Sequence, residues 1–360
     1  MGSIGSALPT QASNGLSPAA PPKRLLLLSV PRTASNLFLK VLNPGAQPAL
    51  KTNAFSGYFF YPVLSTAALE GLTSKEAKDW TPQERQRYLG LCQESFDNLE
   101  GLSQEATKEN KSIFTKEHVT WLIDPAMLFT LQTGSVRSET PMRINVSEEY
   151  GSSRTYTQPS ILPDEYLRTW QFAFTIRHPA LAWPSLYRAI KRAGEEGGFV
   201  DEDGARGASL SNMTFGWTRI MYDWCVAQPD VPTPPIIDAH DLIHTPEVAL
   251  KFCEQTGLDK TCLQFEWSKD GKKKSDHWGD LDKNRPDRMD AHRQAANILL
   301  GTLEASTGLM KDRTPAHVDI EAEHAKWEVE FGKEMAGLIE KAVRNSMGDY
   351  EYLRAHRMQA

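Results

Sequence analysis

The chain has no apolar run approaching the length of a membrane span, so no membrane-spanning helix is expected. Cysteine is sparse. Cys92, Cys225, Cys253 and Cys262 are scattered, with no CxxC and no paired spacing, which argues against a disulfide framework and reads as reduced, mostly buried thiols of an intracellular protein. Positive charge is not in excess: 40 Lys and Arg stand against 46 Asp and Glu, and no basic block dominates, so a general nucleic-acid binder is not expected. A G-x-x-x-x-G-K-S/T motif is missing, which argues against a Mg²⁺–ATP hydrolase or kinase. His240-Asp241-Leu242-Ile243-His244 has the spacing of H-E-x-x-H, but its second residue is Asp and Thr245-Pro246 end any helix through the pair. No metal site is expected.

What is present suits a globular protein: 40% hydrophobic and 24% charged residues over 360 positions can form one large α/β domain or two smaller ones. No internal repeat is visible, and one domain over 23–360 is the simpler reading, with a helical pattern from about 286 onward. Residues 1–22 are rich in Ser, Ala, Pro, Gly, Gln and Asn and read as a disordered arm, without the basic start and apolar centre of a secretory signal. Met1-Gly2-Ser3-Ile4-Gly5-Ser6 fits the N-myristoylation pattern M-G-x-x-x-S. No basic residues follow it, and one acyl chain binds membranes only marginally, so a cytoplasmic protein without membrane association is expected.

Four leucines and Val30 after Lys23-Arg24 make an apolar run of buried-strand length. The run breaks at Pro31, and Leu37, Phe38, Val41 and Leu42 continue at helical spacing. Ser112–His118, Gln171–Ile176 and Pro235-Ile236-Ile237 read as three more strands. Thr81-Pro82-Gln83-Glu84 is a capping box that opens a helix to about Asn110. Further helices are predicted from Asp124-Pro125, after Pro179, from Thr214 to about Gln228, and from Thr245-Pro246-Glu247 to Gly257. Residues 134–163 and Gly194–Gly207 read as loops, both lid candidates. Strands alternating with helices imply an α/β fold of three layers, a central and mostly parallel sheet flanked by helices.

The first strand–turn–helix points backbone N–H groups and a helix N-terminus at an anion, with Arg32, Thr33 and Ser35 as added donors. It reads as a phosphate-binding loop. Ligands of open parallel sheets sit outside the carboxyl ends of the strands. Three such ends carry unusual residues: Pro31–Ser35, Lys116-Glu117-His118 and Arg177-His178-Pro179. The run from Phe55 to Tyr61 is the densest aromatic cluster. It reads either as core packing or, through Phe55, Tyr58, Phe59 and Tyr61, as the wall of an apolar acceptor pocket.

Pro31-Arg32-Thr33-Ala34-Ser35-Asn36 resembles the P-[KR]-[ST]-G-[ST]-[ST] loop of sulfotransferases that use 3′-phosphoadenosine-5′-phosphosulfate (PAPS). Arg177-His178-Pro179, with Ser185 eight residues after the arginine, is similar to that family's second signature. Thr115-Lys116-Glu117-His118 resembles the strand end that delivers its histidine, and Asp238-Ala239-His240-Asp241-Leu242 with Pro246 and Gly257-Leu258 resembles its Y-E-D-L…P…F-L-G segment. The four motifs stand in the family's order over about residues 24–258. The resemblance implies a P-loop sulfotransferase-like fold that moves a sulfuryl group from PAPS to a hydroxyl of a small, partly apolar acceptor, releasing PAP. It implies His118 as general base, Arg32 and Lys116 as stabilisers of developing charge, and Arg177 and Ser185 on the 3′-phosphate. Arg32, Thr33, Ala34, Ser35 and Asn36 would lie on the 5′-phosphate. No metal is needed, and a homodimer is left open.

The pattern is not followed throughout. Ala34 stands at the usual loop glycine and would carry a penalty if φ is positive there. Asn36 replaces a hydroxyl residue, Pro184 falls inside an expected helix, and Ala239 replaces the tyrosine. Gly271-Lys272-Lys273-Lys274 is only a loose counterpart of the family's late R-K-G phosphate clamp. Two alternatives follow from these departures: a degenerate relative that binds nucleotide as a sensor or scaffold, and an enzyme of the same fold with another donor.

Overall fold

The computed structural model describes residues 23–128, 130–133, 140–198, 201–269, 273–281, 286–311 and 314–360. The arm at 1–22, with Gly2, lies outside the described residues, as do 134–139 and 199–200 of the two loops and Gly271-Lys272.

Strand β1 (Arg24–Ser29) is buried from Leu25 onward, as a continuous apolar run in a sheet covered on both faces must be. The chain turns into helix α1 (Ser35–Leu42), touches the sheet edge as β2 (Leu50–Lys51) and forms α2 (Tyr61–Leu69). Helix α3 (Pro82–Lys108) starts at the predicted capping box: Thr81 Oγ1 accepts from Glu84 N–H at 3.2 Å, and Glu84 Oε2 accepts from Thr81 N–H at 2.7 Å. Strand β3 (Ser112–His118) leads into one helical turn, α4 (Val119–Leu122).

The predicted helix at Asp124-Pro125 does not form. The Asp124 carboxylate instead accepts from Ala126 N–H and from Arg143 at 3.1 Å, so it closes a local turn and anchors a distant segment. After a short turn, α5 (Thr130–Thr133), the described part of the 134–163 loop is irregular apart from a turn at Glu148–Tyr150. It is fastened at its end by the buried Asp164, which accepts from the N–H and hydroxyl of Thr157 at the start of α6 (Asp164–Leu167).

Strand β4 (Gln171–Ile176) matches its prediction, and α7 (Pro179–Gly197) runs on through Pro184. Gly194–Gly207 is not a loop. Gly198 ends α7 at φ +59°, and Asp201 caps α8 (Glu202–Asn212) by accepting from Gly204 N–H at 2.7 Å. Of the Gly and Asp residues that suggested a loop, Gly198 and Asp201 are helix caps, while Gly194, Gly197, Asp203, Gly204 and Gly207 lie within the two helices. Helix α9 (Gly216–Ala227), β5 (Ile236–Asp238), α10 (Ala239–His244) and α11 (Val248–Thr256) follow, then α12 (Met289–Glu304), α13 (Ile320–Phe331) and α14 (Lys333–Ala355).

Among the described residues the sheet has five strands, all parallel, in the order β2-β3-β1-β4-β5 with β1 in the middle, and helices flank it to give a three-layer α/β fold. In register, Ser29 stands level with His118 on one side and Thr175 on the other. The chain leaves β1 toward β2 and β3 but leaves β4 toward β5, on the opposite side. The loops after β1 and β4 therefore part and open a crevice at their carboxyl ends. Among the described residues, no helix is long and apolar enough to cross a membrane.

Candidate active site

The turn after β1 is strained where it faces the crevice. Arg32 (φ +69°) and Ala34 (φ +63°) both adopt left-handed backbone, a region that costs a residue with a Cβ about 1–2 kcal/mol. Ala34 occupies the N-cap of α1 and has no side chain able to cap it, so the first amides of α1 gain no side-chain partner from that residue. Thr33 does not reach the crevice: its hydroxyl donates to Val30 O at 2.8 Å and lies 3.0 Å from Thr175 Oγ1, buried between β1 and β4.

Arg32, Ala34, Ser35, Asn36, Arg177 and Ser185 come together on the wall of one cavity of about 550 Å³. Arg32 Nε donates to Ser185 Oγ at 3.0 Å and another of its nitrogens donates to Leu299 O of α12 at 2.6 Å. Arg177 donates to the backbone carbonyl of Arg32 at 3.3 Å. Burial, followed by the charge of Arg188, lowers the pKa of Arg32. Burial, followed by the charge of Arg32, pulls Arg177 down to about 10 against the weaker pull of Asp238. Both guanidiniums still carry charge at neutral pH, poorly solvated and close to one another, which is the condition an anion relieves. Leu37, Ile243 and Trp327 supply apolar wall.

His118 and Lys116 project from the same face of β3 and are buried, Lys116 completely. Lys116 Nζ lies 2.9 Å from His118 Nε2, and His118 Nδ1 lies 3.0 Å from Ser29 Oγ. Burial is the main cause that depresses both groups, His118 well below its ordinary value with help from Lys116, and Lys116 well below its own with help from Lys274. The imidazole is therefore neutral near pH 7. Glu117, between them, is pushed up to about 8 by burial; its Oε1 accepts from Phe59 N–H at 2.6 Å and so fixes the aromatic segment to the strand end.

That segment is tied down by Gly57, whose φ of +135° brings the backbone onto β3. A Cβ there would sit 2.0 Å from Lys116 O, so only glycine fits. Tyr58 N–H then donates to Lys116 O and Lys116 N–H to Ser56 O, each at 2.9 Å. Tyr58 and Tyr61 are buried against Trp121 and Trp278, Phe55 packs edge-on to Trp278, and Phe59 is only partly buried. None of these four lines the arginine cavity. Lys116 Nζ sits 3.9 Å above the Tyr58 ring, and Tyr58 Oη donates to Asn36 Oδ1 at 3.0 Å. That bond joins the β3 end to the turn after β1.

Other residues of the cavity escaped the sequence reading. Arg188 and Arg192 on α7 line it, as do Lys326 and Trp327 on α13. Ser185, Arg188 and Arg192 recur at three- and four-residue spacing, which was a readable one-face signal; the α13 residues had none. Lys273 and Lys274 line a different cavity from Arg177 and Ser185. His178 turns away, its ring nitrogen capping α7 at Ala180 N–H. Among the described residues, no group of His, Cys, Asp and Glu side chains is placed to hold a metal ion.

Two curated relatives match almost the whole chain. Sulfotransferase ppzF of Metarhizium majus (strain ARSEF 297) is 36% identical over 352 residues, 94% of this chain and 98% of that protein. Sulfotransferase ppzF of Metarhizium rileyi (strain RCEF 4871) is 34% identical over 350 residues, 94% and 97% respectively. No family model matches the chain, and no solved structure matches it.

Proposed function

The chain belongs to the sulfotransferase family, and on that premise we propose that it moves a sulfuryl group from PAPS to a hydroxyl of a small, partly apolar acceptor with His118 as general base. The observation that carries this reading is the convergence of Arg32, Arg177 and Ser185 on one cavity, whose Asn36 is joined through Tyr58 to the buried Lys116–His118 pair. Its volume of about 550 Å³ lies within the range of nucleotide-sized pockets. Two poorly solvated guanidiniums fit a ligand with phosphates.

PAPS, when bound, supplies an activated sulfuryl group. Arg177 and Ser185 would hold its 3′-phosphate. Arg32, the backbone amides of the turn and Ser35 would hold the 5′ end. Lys116 would stabilise negative charge near the leaving oxygen, as fixed positive charge does in phosphoryl transfer. His118 Nε2 would take the hydroxyl proton, which requires Lys116 to give up its present contact with that nitrogen. Ser29, on Nδ1, holds the ring orientation.

The test is to incubate the pure protein with PAPS and a panel of phenols and alcohols. Sulfated product in the mass spectrum and a melting temperature raised by PAP support the reading. Failure of both ends it; tight PAP binding without transfer favours the degenerate-relative alternative, and transfer without PAPS favours another donor.

A further inference from the structure

A second cavity, of about 400 Å³, lies farther along α1 and shares Asn36, Leu300 and Leu303 with the arginine cavity. Four lysines line it: Lys40, Lys269, Lys273 and Lys274. In a chain whose acidic residues outnumber its basic ones, chance does not favour such a wall. Among the described residues, its one carboxylate is Glu304, whose oxygens are taken by Ser275 N–H at 3.0 Å and Ser275 Oγ at 2.6 Å. No ion pair among the described residues includes any of the four lysines. Lys274 donates to Phe55 O at 3.3 Å and is pulled down to about 8 by burial and then by Lys40. Among the described residues the wall thus carries four lysines against one carboxylate, Glu304, whose charge acts on Lys274, next to apolar Leu39, Pro44 and Trp267.

The cavity is linked to the Lys116–His118 pair through Asn36. Asn36 on its wall is bonded to Tyr58, over whose ring Lys116 lies, and the charge of Lys274 reaches Lys116. The arginine cavity already offers matched partners for the donor's phosphates, so the lysines answer to a different anion.

Resting on the sulfotransferase reading above, we propose that this second cavity is an acceptor subsite, built for a hydroxylated molecule that carries an anionic group, such as a carboxylate, beside an apolar body. Neutral phenols and alcohols are then the poorer acceptors.

The test uses the full chain saturated with PAP and three aromatic hydroxy acids (4-hydroxybenzoate, 4-hydroxyphenylacetate and 3-(4-hydroxyphenyl)propionate), each against its methyl ester. Binding is read by calorimetry. At least one acid is expected to bind about tenfold or more tighter than its ester, because the ester removes the charge and keeps the body. A Lys269→Met/Lys273→Met variant, altered at two exposed positions, should lose most of that preference while PAP still raises its melting temperature. Esters binding as well as acids, no binding by any acid, an unchanged preference in the variant, or displacement of the acid by PAP would each overturn the proposal. The last would return the lysines to the donor. A protein that prefers the acids yet ignores PAP would keep the subsite and sink the donor reading, so the two failures are told apart.

Discussion

Lys116 Nζ stands 2.9 Å from His118 Nε2, so the nitrogen that would accept a substrate proton already has a partner on its own strand. The contact is local, two residues apart on one face of β3, and it is enclosed by Tyr58 and Trp121. In the proposed reaction that partner would first have to be exchanged for an acceptor hydroxyl.

Replacing His118 should separate binding from chemistry. His118→Ala is expected to lower turnover by about a hundred-fold or more, the usual worth of a positioned base. The rise in melting temperature caused by PAP should be unchanged, because His118 is not on the wall of the arginine cavity. Equal loss of turnover and PAP binding would make His118 a structural residue.

Arg177 should trade stability for ligand binding. Its guanidinium is buried close to that of Arg32. Arg177→Met is expected to weaken PAP binding by about 2 kcal/mol, the order of a charge-assisted hydrogen bond. The ligand-free protein should melt at or above the wild-type temperature, since one poorly solvated charge is gone. A lower melting temperature with PAP affinity intact would make Arg177 an internal support.

Ala34→Gly tests the strain in the turn. At φ +63° glycine is free of the Cβ penalty, so the variant should be more stable by roughly 0.5–1 kcal/mol in chemical denaturation. PAP affinity should be equal or higher. Destabilisation would mean that the alanine methyl packs well enough to outweigh the backbone cost.

The pH profile follows from the two depressed groups. The proposed chemistry needs His118 neutral and Lys116 charged. His118 loses its proton well below its ordinary value, so acid should not slow turnover until well below pH 6.5. Lys116 loses its charge at lower pH than an ordinary lysine, so turnover should fall on the alkaline side before the usual lysine range. Lys116→Arg should keep activity measurable and move that fall upward, since a guanidinium does not lose its proton there. A fall near pH 6.5 in the wild type would contradict the burial of His118.

Much of this was legible in the sequence for a local reason. The leucines of β1 and the runs of β3 and β4 are continuous and apolar, and such runs between turn signals suit strands buried on both faces. The capping box before α3 is a three-residue pattern that needs no distant partner. Arg32, Lys116, His118 and Arg177 could be singled out because they follow or end such runs, and Ser185 through the family resemblance of its spacing from Arg177.

Tertiary structure decided the rest, because it rests on partners far away in the chain. Asp124 starts no helix because Arg143 and a local turn claim its carboxylate. Thr33 turns inward because Thr175 on the neighbouring strand receives it. Arg32 meets Ser185, 153 residues later, only because β1 lies beside β4 in the sheet. Sequence periodicity records which face of an element is apolar, while the order of strands determines which charges share a cavity. The turn after β1 was readable as an anion site from its own residues; that its Asn36 separates an arginine cavity from a lysine one is a fact of packing alone.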